Sequence, residues 1–382
     1  MSRSPETLYL ALLVAVGAIP PALAAEGRTP VFAAGTVIVD DGSYVVTAPL
    51  LGGGGPVVTV NAFKVDLDLN GMVLTNLGAN FPVIAVLPGV DQVTIRNGVL
   101  SSGSVGIEAL GQTRIVTIED VRIVDMVVGA GQGIHLDDVR TAAIRCVEIA
   151  DTLGEGILWD GGFLRRHGTI EDNLVQRTAG GIVLIAPGEG FSLAVRNNRV
   201  FESGTGGTGA FPGYGIVVAG FSGSIVAENT VSEARNDGIF VRQSRGVKIY
   251  NNSVSGSGGN GIHLDSSAFG NLVLDNVATS NGTAQLPIGG SGLLVEGGGN
   301  MIQGNLLNNN LGYGLQFCNA NTACGNTFGR NTARNNQAVV TGPCAACAGT
   351  PALFPPDSCN IFCFPTQNST FGDNLIPGPP VL

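Results

Sequence analysis

The residues whose side chains can do chemistry stand at two fixed places after a recurring glycine. Each glycine is followed by an aliphatic residue and a short run in which apolar residues alternate. Residues two and four places after each glycine therefore point to the same side of a strand. The first cluster of polar residues on these places consists of Glu108, His135, Asp137 and Asp160. The second cluster consists of Arg242, His263, Asp265 and Glu296, with Phe240 beside it.

The second cluster has the residue types of an acid–base site. Two neighbouring carboxylates, Asp265 and Glu296, can divide the roles of acid and base between them. Arg242 can fix a carboxylate or a hydroxyl group of a ligand. The first cluster is the weaker candidate for catalysis, and the residues expected to flank it are Asp138, Arg165, Arg166 and His167. Charged residues on an exposed sheet face are also ordinary surface pairs, so solvated surface and passive ligand contact stay open for both clusters.

Two motifs alternate along the chain and supply the elements that must position these residues. The glycine-led run begins at Gly106, Gly133, Gly156, Gly181, Gly215, Gly238, Gly261, Gly292 and Gly314. The other motif is an apolar residue followed three places later by asparagine, at Asn173, Asn198, Asn229, Asn252, Asn276, Asn305 and Asn331. Successive glycines are 22 to 34 residues apart, and the longest gaps contain insertions at 201–214 and 280–291. Such a repeat indicates a solenoid.

The pattern predicts an all-β, single-domain, right-handed parallel β-helix of about ten coils. Short alternating runs bounded by Gly, Asn and Ser indicate strands, and no stretch has a helical stripe. A strand unit of this size cannot bury its apolar face alone, so equivalent strands stack around one core. Parallel connections of this kind are right-handed. The recurring asparagine is expected to form a ladder from coil to coil. A β-propeller, the alternative, needs about forty residues per repeat.

The chain divides into four predicted segments. Residues 1–24 have the arginine, apolar stretch and small residues of a cleaved export signal, and a membrane anchor is disfavoured because the stretch is too short. Residues 25–62 are expected to cap the first coil, 63–336 to form the β-helix, and 337–382 to form a Cys- and Pro-rich capping tail. The mature chain is therefore expected to be secreted or periplasmic, with no membrane span.

The segment Lys64-Val-Asp-Leu-Asp-Leu-Asn-Gly-Met-Val-Leu74 and the repeats after it resemble the right-handed parallel β-helix repeat (pectate-lyase-like) superfamily. The resemblance covers about residues 36–336 and implies the fold. Members include polysaccharide lyases, glycoside hydrolases, uronan epimerases and copper-related periplasmic proteins. Of the polygalacturonase motifs only Asp137-Asp138 occurs, and the epimerase motif Y-G-[FI]-D-P-H is broken after Tyr214-Gly-Ile216. The resemblance therefore implies no identified enzyme family.

Composition and charge limit the partners. The chain has 382 residues, a net charge of −10 and no basic run longer than Arg165-Arg166, which excludes nucleic acid. Our hypothesis is that the side face engages an extracellular or cell-wall polysaccharide, with Phe240 stacking on a sugar ring. Whether it also acts as a polysaccharide lyase or glycoside hydrolase stays open. The alternative is a structural or adhesive solenoid without catalysis. No cofactor is indicated, although Ca²⁺ stays open as a bridge between like charges. The apolar middle of the face, Val183, Ile185, Val217 and Ala219, is expected to lie under a loop.

The cysteines favour disulfides in the tail. Those between 318 and 363 are Cys318, Cys324, Cys344, Cys347, Cys359 and Cys363. An even-numbered cluster in an exported, turn-rich segment favours pairing, whereas the C-x-x-C spacing leaves zinc as the alternative. Cys146 stands alone within a strand and is predicted to be a buried, unreactive thiol.

Reduction tests this prediction. Under denaturing conditions we expect only Cys146 to be alkylated before reduction and all 7 cysteines to be alkylated after it, because thiols in an oxidising compartment pair. Mass spectrometry of the intact chain measures the difference. Full alkylation without reductant would contradict the disulfides.

Overall fold

The computed structural model describes residues 27–161, 166–191, 193–204, 207, 209–282, 290–317, 326–334, 336 and 369–370 of the 382. The described strands form one continuous sheet that winds into a parallel β-solenoid of about 11 turns. One short antiparallel pair joins Thr332 and Ala333 to 369–370. This described part contains no helix that is long and apolar enough to cross a membrane. The predicted all-β solenoid is confirmed.

The strands lie on three faces of the solenoid. The first face contains β1 Thr29–Val31, β3 Gly42–Val46, β6 Lys64–Asp68, the first parts of β9 Gln92–Ser101 and β11 Ile115–Met126, β13 Thr141–Arg145, β15 His167–Glu171, β17 Leu193–Arg196, β20 Ile225–Ala227, β23 Lys248–Tyr250, β26 Leu272–Leu274, β29 Met301–Gln303 and β32 Thr327–Gly329. The second face contains β4 Leu50–Gly52, β7 Val73–Asn76, the later parts of β9 and β11, the first parts of β14 Glu148–Asp160 and β16 Leu174–Phe191, β18 Arg199–Phe201, β21 Thr230–Ser232, β24 Ser253–Ser255, β27 Val277–Thr279, β30 Leu306–Asn308, β33 Thr332–Arg334 and β34 Ser369–Thr370. The third face, which we call the wall, contains β2 Thr36–Ile38, β5 Val58–Val60, β8 Ile84–Val86, β10 Val105–Ala109, β12 Gln132–Asp137, the later parts of β14 and β16, β19 Ile216–Ser222, β22 Ile239–Arg242, β25 Ile262–Leu264, β28 Leu293–Val295 and β31 Leu315–Phe317.

The core is one apolar column inside the three faces. Alternate residues of each strand point inward: in β6, Val65 and Leu67 are buried while the residues between them are more exposed. Equivalent core residues of successive coils stack directly, as Leu67 does on Ile95 and Ile95 on Ile118. Burial on this pattern stabilises the solenoid because apolar area removed from water grows with every added coil.

Asparagine ladders hold the corners. The predicted ladder runs from Asn173 through the repeated motif to Asn331, and each Nδ2 donates to the Oδ1 of the next coil at 2.8–3.0 Å. The backbone N–H of each residue donates to the same oxygen, as Asn252 does to Asn276 at 3.0 Å. Two shorter ladders, which the sequence analysis missed, occupy the other corners: Asn271–Asn300–Asn326 and Asn281–Asn310–Asn336.

The ends of the chain differ from the expectation. Residues 29–60, expected to cap the first coil, form β1 to β5, which pair in parallel with β3, β5, β6, β7 and β8 and so make the first coils themselves. The predicted export signal at 1–24, the six tail cysteines and most of 337–382 lie outside the described residues. The prediction that Cys146 is buried is wrong. It is exposed because its φ of 53° turns the chain at a corner, where the side chain points to solvent.

The ladder makes a stability prediction. Asn252→Ala removes an amide that contacts Asn229, Asn276 and the carbonyl of Val226, all in a dry corner. Because buried partners left without hydrogen bonds cost about 1–3 kcal/mol each, the free energy of unfolding should fall by about 2–4 kcal/mol. Urea denaturation measures this loss. Asn61→Ala, at an exposed asparagine, is the control and should change stability by less than about 0.5 kcal/mol.

Candidate functional site

The outward residues of the wall stand in one column, in the predicted register. From β8 to β31 the column reads Ala85, Glu108, His135, Leu158, Val183, Val217, Phe240, His263, Leu294 and Gln316. Both clusters therefore lie on the same wall. The wall continues past the strand ends, since Asp265 N–H donates to Val241 O at 3.0 Å and Glu296 N–H donates to Leu264 O at 2.8 Å. Arg242, Asp265 and Glu296 thus occupy successive coils.

His263 is the centre of the second cluster. Its Nδ1 lies 2.8 Å from Oδ2 of Asp237, and its Nε2 lies 3.5 Å from Oε2 of Glu296. Asp237 is only 7% exposed, and its other oxygen accepts the backbone N–H and the side-chain Nδ2 of Asn260 at 2.6 and 2.9 Å. Both oxygens of Asp237 are therefore engaged, and this carboxylate fixes the orientation of the imidazole.

Asp237 was missed by the sequence analysis. It stands one place before Gly238, whereas only the places after each glycine were considered. A residue with a side chain would not fit at Gly238, where the chain enters the wall, because its Cβ would lie 2.2 Å from a methyl group of Val254. An acidic residue directly before one of the recurring glycines is the signal that could have identified it.

The imidazole of His263 is protonated at neutral pH. Burial lowers the pKa of His263, but the hydrogen bond with Asp237 and the charges of Asp237 and Glu296 outweigh burial and raise the pKa to about 9. Both ring nitrogens then carry hydrogen. Nδ1–H donates to Asp237, whereas Nε2 is buried and forms no hydrogen bond with any described residue. A proton donor is thus held beside the more exposed carboxylate of Glu296.

An aromatic group from the 201–214 insertion covers the wall beside His263. Tyr214 packs on Phe240 with ring centres 5.1 Å apart, and Phe211 meets Tyr214 edge-on at 5.8 Å. Phe240 lies 5.0 Å from the ring of His263 and is 8% exposed. The Phe240 ring therefore packs against the imidazole of His263 from the neighbouring coil. Burial and the charge of Asp237 raise the pKa of Tyr214, whose hydroxyl has no hydrogen-bond partner in the described part of the chain.

Glu155 anchors this insertion. Its side chain is buried, one oxygen accepts the backbone N–H of Ala210, and the other accepts Nε2 of Gln132 at 3.0 Å. The apolar cluster of Leu158, Val183, Val217, Ala219 and Phe240 is packed against Phe211, Tyr214 and Ile185. The apolar middle of the wall, predicted to lie under a loop, is thus packed against aromatic rings of the insertion.

Arg242 and Asp265 complete the second cluster. The guanidinium of Arg242 lies 5.9 Å from the centre of the Phe211 ring, and its Nε has no hydrogen-bond partner among the described residues. Oδ1 of Asp265 accepts the N–H and the hydroxyl of Ser267 at 2.8 and 2.6 Å, so this carboxylate also closes a turn. The structure thus joins His263 to Glu296 and Asp237, while Arg242 faces the aromatic insertion.

The first cluster repeats the same geometry. Nε2 of His135 lies 3.1 Å from Oδ1 of Asp160, and its Nδ1 lies 3.7 Å from Oε1 of Glu108. Burial lowers the pKa of His135, but Asp160 and Glu108 raise it to about 9. Burial, with repulsion from Asp160, raises the pKa of Asp137.

Only some of the residues expected to flank the first cluster lie close to it. Arg166 is buried, 3.5 Å from Asp138, whereas His167 is exposed on the first face. Arg165 lies outside the described residues. In the described part of the chain, no group of three or more His, Cys, Asp or Glu residues is arranged to hold a metal ion.

Comparison with known proteins identifies the fold. Residues 214–376 match the family described as the right handed beta helix region. The chain is a right-handed parallel β-helix protein. No curated protein sequence matches this β-helix significantly.

Solved structures share the fold at low sequence identity. The A-module of mannuronan C-5 epimerase AlgE4 of Azotobacter vinelandii is 17% identical, with a TM-score of 0.51 over 85% of this chain and 92% of that chain. The AlgE6 A-module of the same organism is 17% identical, with a TM-score of 0.50 over 84% and 88%. The periplasmic alginate epimerase AlgG is 15% identical, with a TM-score of 0.51 over 76% and 78%. At these identities the likeness shows the fold alone.

The two imidazoles predict a pH-dependent stability. Folding raises their pKa from about 6.5 to about 9, so their contribution is complete below about pH 6.5 and is lost as the pH rises towards 9. The free energy of unfolding should therefore fall between pH 6.5 and 9, and His263→Gln should flatten this fall. Urea denaturation at several pH values measures the slope.

A matched control is His167→Gln, which alters an exposed histidine outside both clusters and should keep the wild-type slope. An unchanged slope in His263→Gln would contradict the proposed charge state of His263.

Proposed function

We propose that this β-helix binds an extracellular polysaccharide along its wall and hydrolyses a glycosidic bond at the second cluster. The observation that carries the proposal is the position of His263 between Asp237 and Glu296. Its Nδ1 is fixed by Asp237, and its buried Nε2 lies 3.5 Å from Oε2 of Glu296. Glycosidic cleavage needs a proton donor for the leaving oxygen and a carboxylate near the sugar carbon. Glu296, with His263 as its proton source, and Asp265 on the neighbouring coil supply these two groups.

The roles follow from position. Nε2 of His263 lies 3.5 Å from Oε2 of Glu296 and passes its proton to this more exposed carboxylate. Glu296 donates the proton to the glycosidic oxygen as the bond to the anomeric carbon breaks. Asp265, one strand away, accepts a proton from the water whose oxygen forms the new bond to that carbon, so both halves leave with hydroxyl groups. Asp237 acts through His263 as a positioning residue.

Arg242 and Tyr214 serve to bind the sugar. The Nε of Arg242 is buried and has no partner in the described part of the chain, so the terminal nitrogens of its guanidinium are the atoms that can meet a ligand, and Tyr214 has a hydroxyl without a partner there. Both can bond to sugar hydroxyls, and the exposed edges of Tyr214 and Phe211 can pack on a ring. Because Phe240 is covered by these two rings, they replace it as the aromatic contact.

The names of solved proteins with this fold support a polysaccharide as the ligand. Two of the solved structures with this fold are named mannuronan C-5 epimerases, and a third is a periplasmic alginate epimerase. We propose the same kind of location, outside the cytoplasm. A lyase is the less favoured reaction, because elimination from a uronate needs cations around the sugar carboxylate, and the second cluster supplies only Arg242 besides the enclosed His263.

Mutation tests the proposal on a panel of polysaccharides, with release of reducing ends as the measurement. His263→Gln and Glu296→Gln should each lower the rate about 10²–10⁴-fold, since each removes one partner of acid–base catalysis. Glu228→Gln is the matched control. Glu228 is exposed at the corner between the first and second faces, away from the wall, and should leave the rate unchanged.

The outcomes separate the candidates. Cleavage that survives both His263→Gln and Glu296→Gln refutes the site. Binding without cleavage by the wild type favours an adhesive solenoid over an enzyme. If the protein neither binds nor cleaves any polysaccharide, the proposed function fails.

A further inference from the structure

The wall carries more carboxylates than cations. Its outward carboxylates are Glu108, Asp137, Asp160, Asp265 and Glu296, with Asp237 beneath them. In the described wall strands the cationic side chains are His135, Arg242 and His263. Of the described arginines at the corners on either side of the wall, Arg114 pairs with Asp91 and Arg166 with Asp138. Arg140, Arg235 and Arg245, also at these corners, lie outside the outward column. The surface that a ligand meets is therefore negative, in agreement with the net charge of −10 of the whole chain.

Both imidazoliums are already neutralised. His135 lies between Glu108 and Asp160, and each pair is within 3.7 Å. His263 lies between Asp237 and Glu296, within 3.5 Å. Each group of one cation and two carboxylates carries an excess negative charge. Neither histidine can therefore serve as the partner of an anionic ligand without first losing a carboxylate.

Arg242 is the remaining cation of the described wall. It forms no ion pair with a described carboxylate, and its guanidinium lies over Phe211. One guanidinium can bind one anionic group, whereas a uronate polymer carries a carboxylate on every sugar. Along this wall most of those carboxylates would face Asp137, Asp160 or other acidic side chains, and like charges held close together repel.

We infer that the polysaccharide bound by the wall is neutral rather than polyanionic. This inference rests on the proposed function and names its substrate class. Sugar hydroxyls donate hydrogen bonds to half-buried carboxylates such as Asp265 and Glu296, and they accept hydrogen bonds from Arg242 and Tyr214. The excess of acceptors on the wall suits a ligand rich in donors. The same carboxylates reject a competitor that carries its own charge.

Matched pairs of oligosaccharides test the inference. The members of each pair differ only at carbon 6, which bears a hydroxyl or a carboxylate: β-1,4-mannan fragments with polymannuronate fragments, and cellulose fragments with polyglucuronate fragments. Calorimetry at low salt in EDTA should give dissociation constants on the order of tenfold lower for the neutral member. The difference should shrink at high salt, because salt screens repulsion.

Two variants test whether the wall causes the difference in affinity between neutral and carboxylated ligands. Asp137→Asn should reduce the ratio of the two dissociation constants a few-fold, because it removes a wall carboxylate outside the second cluster. Asp172→Asn makes the same change of charge at an exposed corner between the first and second faces, and should leave the difference as it is. An equal effect of both variants would overturn the inference, since the net charge of the chain would then be the cause.

Other results separate this inference from the proposed function. If no member of any pair binds, the proposed function fails. If a carboxylated member binds as tightly as its neutral partner or more tightly, in EDTA or after addition of Ca²⁺, the proposed function stands and the inference is overturned.

Discussion

The strict register between successive coils is the constraint on which the rest of the structure depends. Parallel strands place equivalent residues one above another, and the asparagine ladders resist slippage because each amide bonds both to the next coil and to a backbone carbonyl. A slip of one residue would turn every core side chain outwards. Residues that are 22 or more positions apart thus become fixed neighbours on the wall, as Leu294 and Gln316 are.

Register also explains why two similar charge clusters exist on one wall. In both, a histidine two places after a glycine meets a carboxylate four places after the next glycine: His135 meets Asp160, and His263 meets Glu296. The coil geometry makes this diagonal contact available wherever the residue types occur. What distinguishes the second cluster is its surroundings, since Asp237 orients its imidazole and the aromatic insertion borders it.

The insertion at 201–214 shows how a regular solenoid acquires a local site. The coil itself offers a flat sheet face, which cannot enclose a ligand. Glu155 holds the inserted segment against the wall, and Phe211 and Tyr214 then stand above Phe240. The result is an aromatic edge beside a charged cluster, and neither a bare coil nor a free loop would provide it.

The sequence by itself determined the coils, the main asparagine ladder and the column that carries both clusters, because these features repeat with the period of the strand and of the coil. Only the tertiary structure decided that Asp237 orients His263, that Phe240 lies beneath Tyr214, and that Cys146 is exposed. These features depend on the direction of corner residues and on the path of one insertion. Contacts with neighbouring coils fix both, and such contacts leave no periodic trace in the chain.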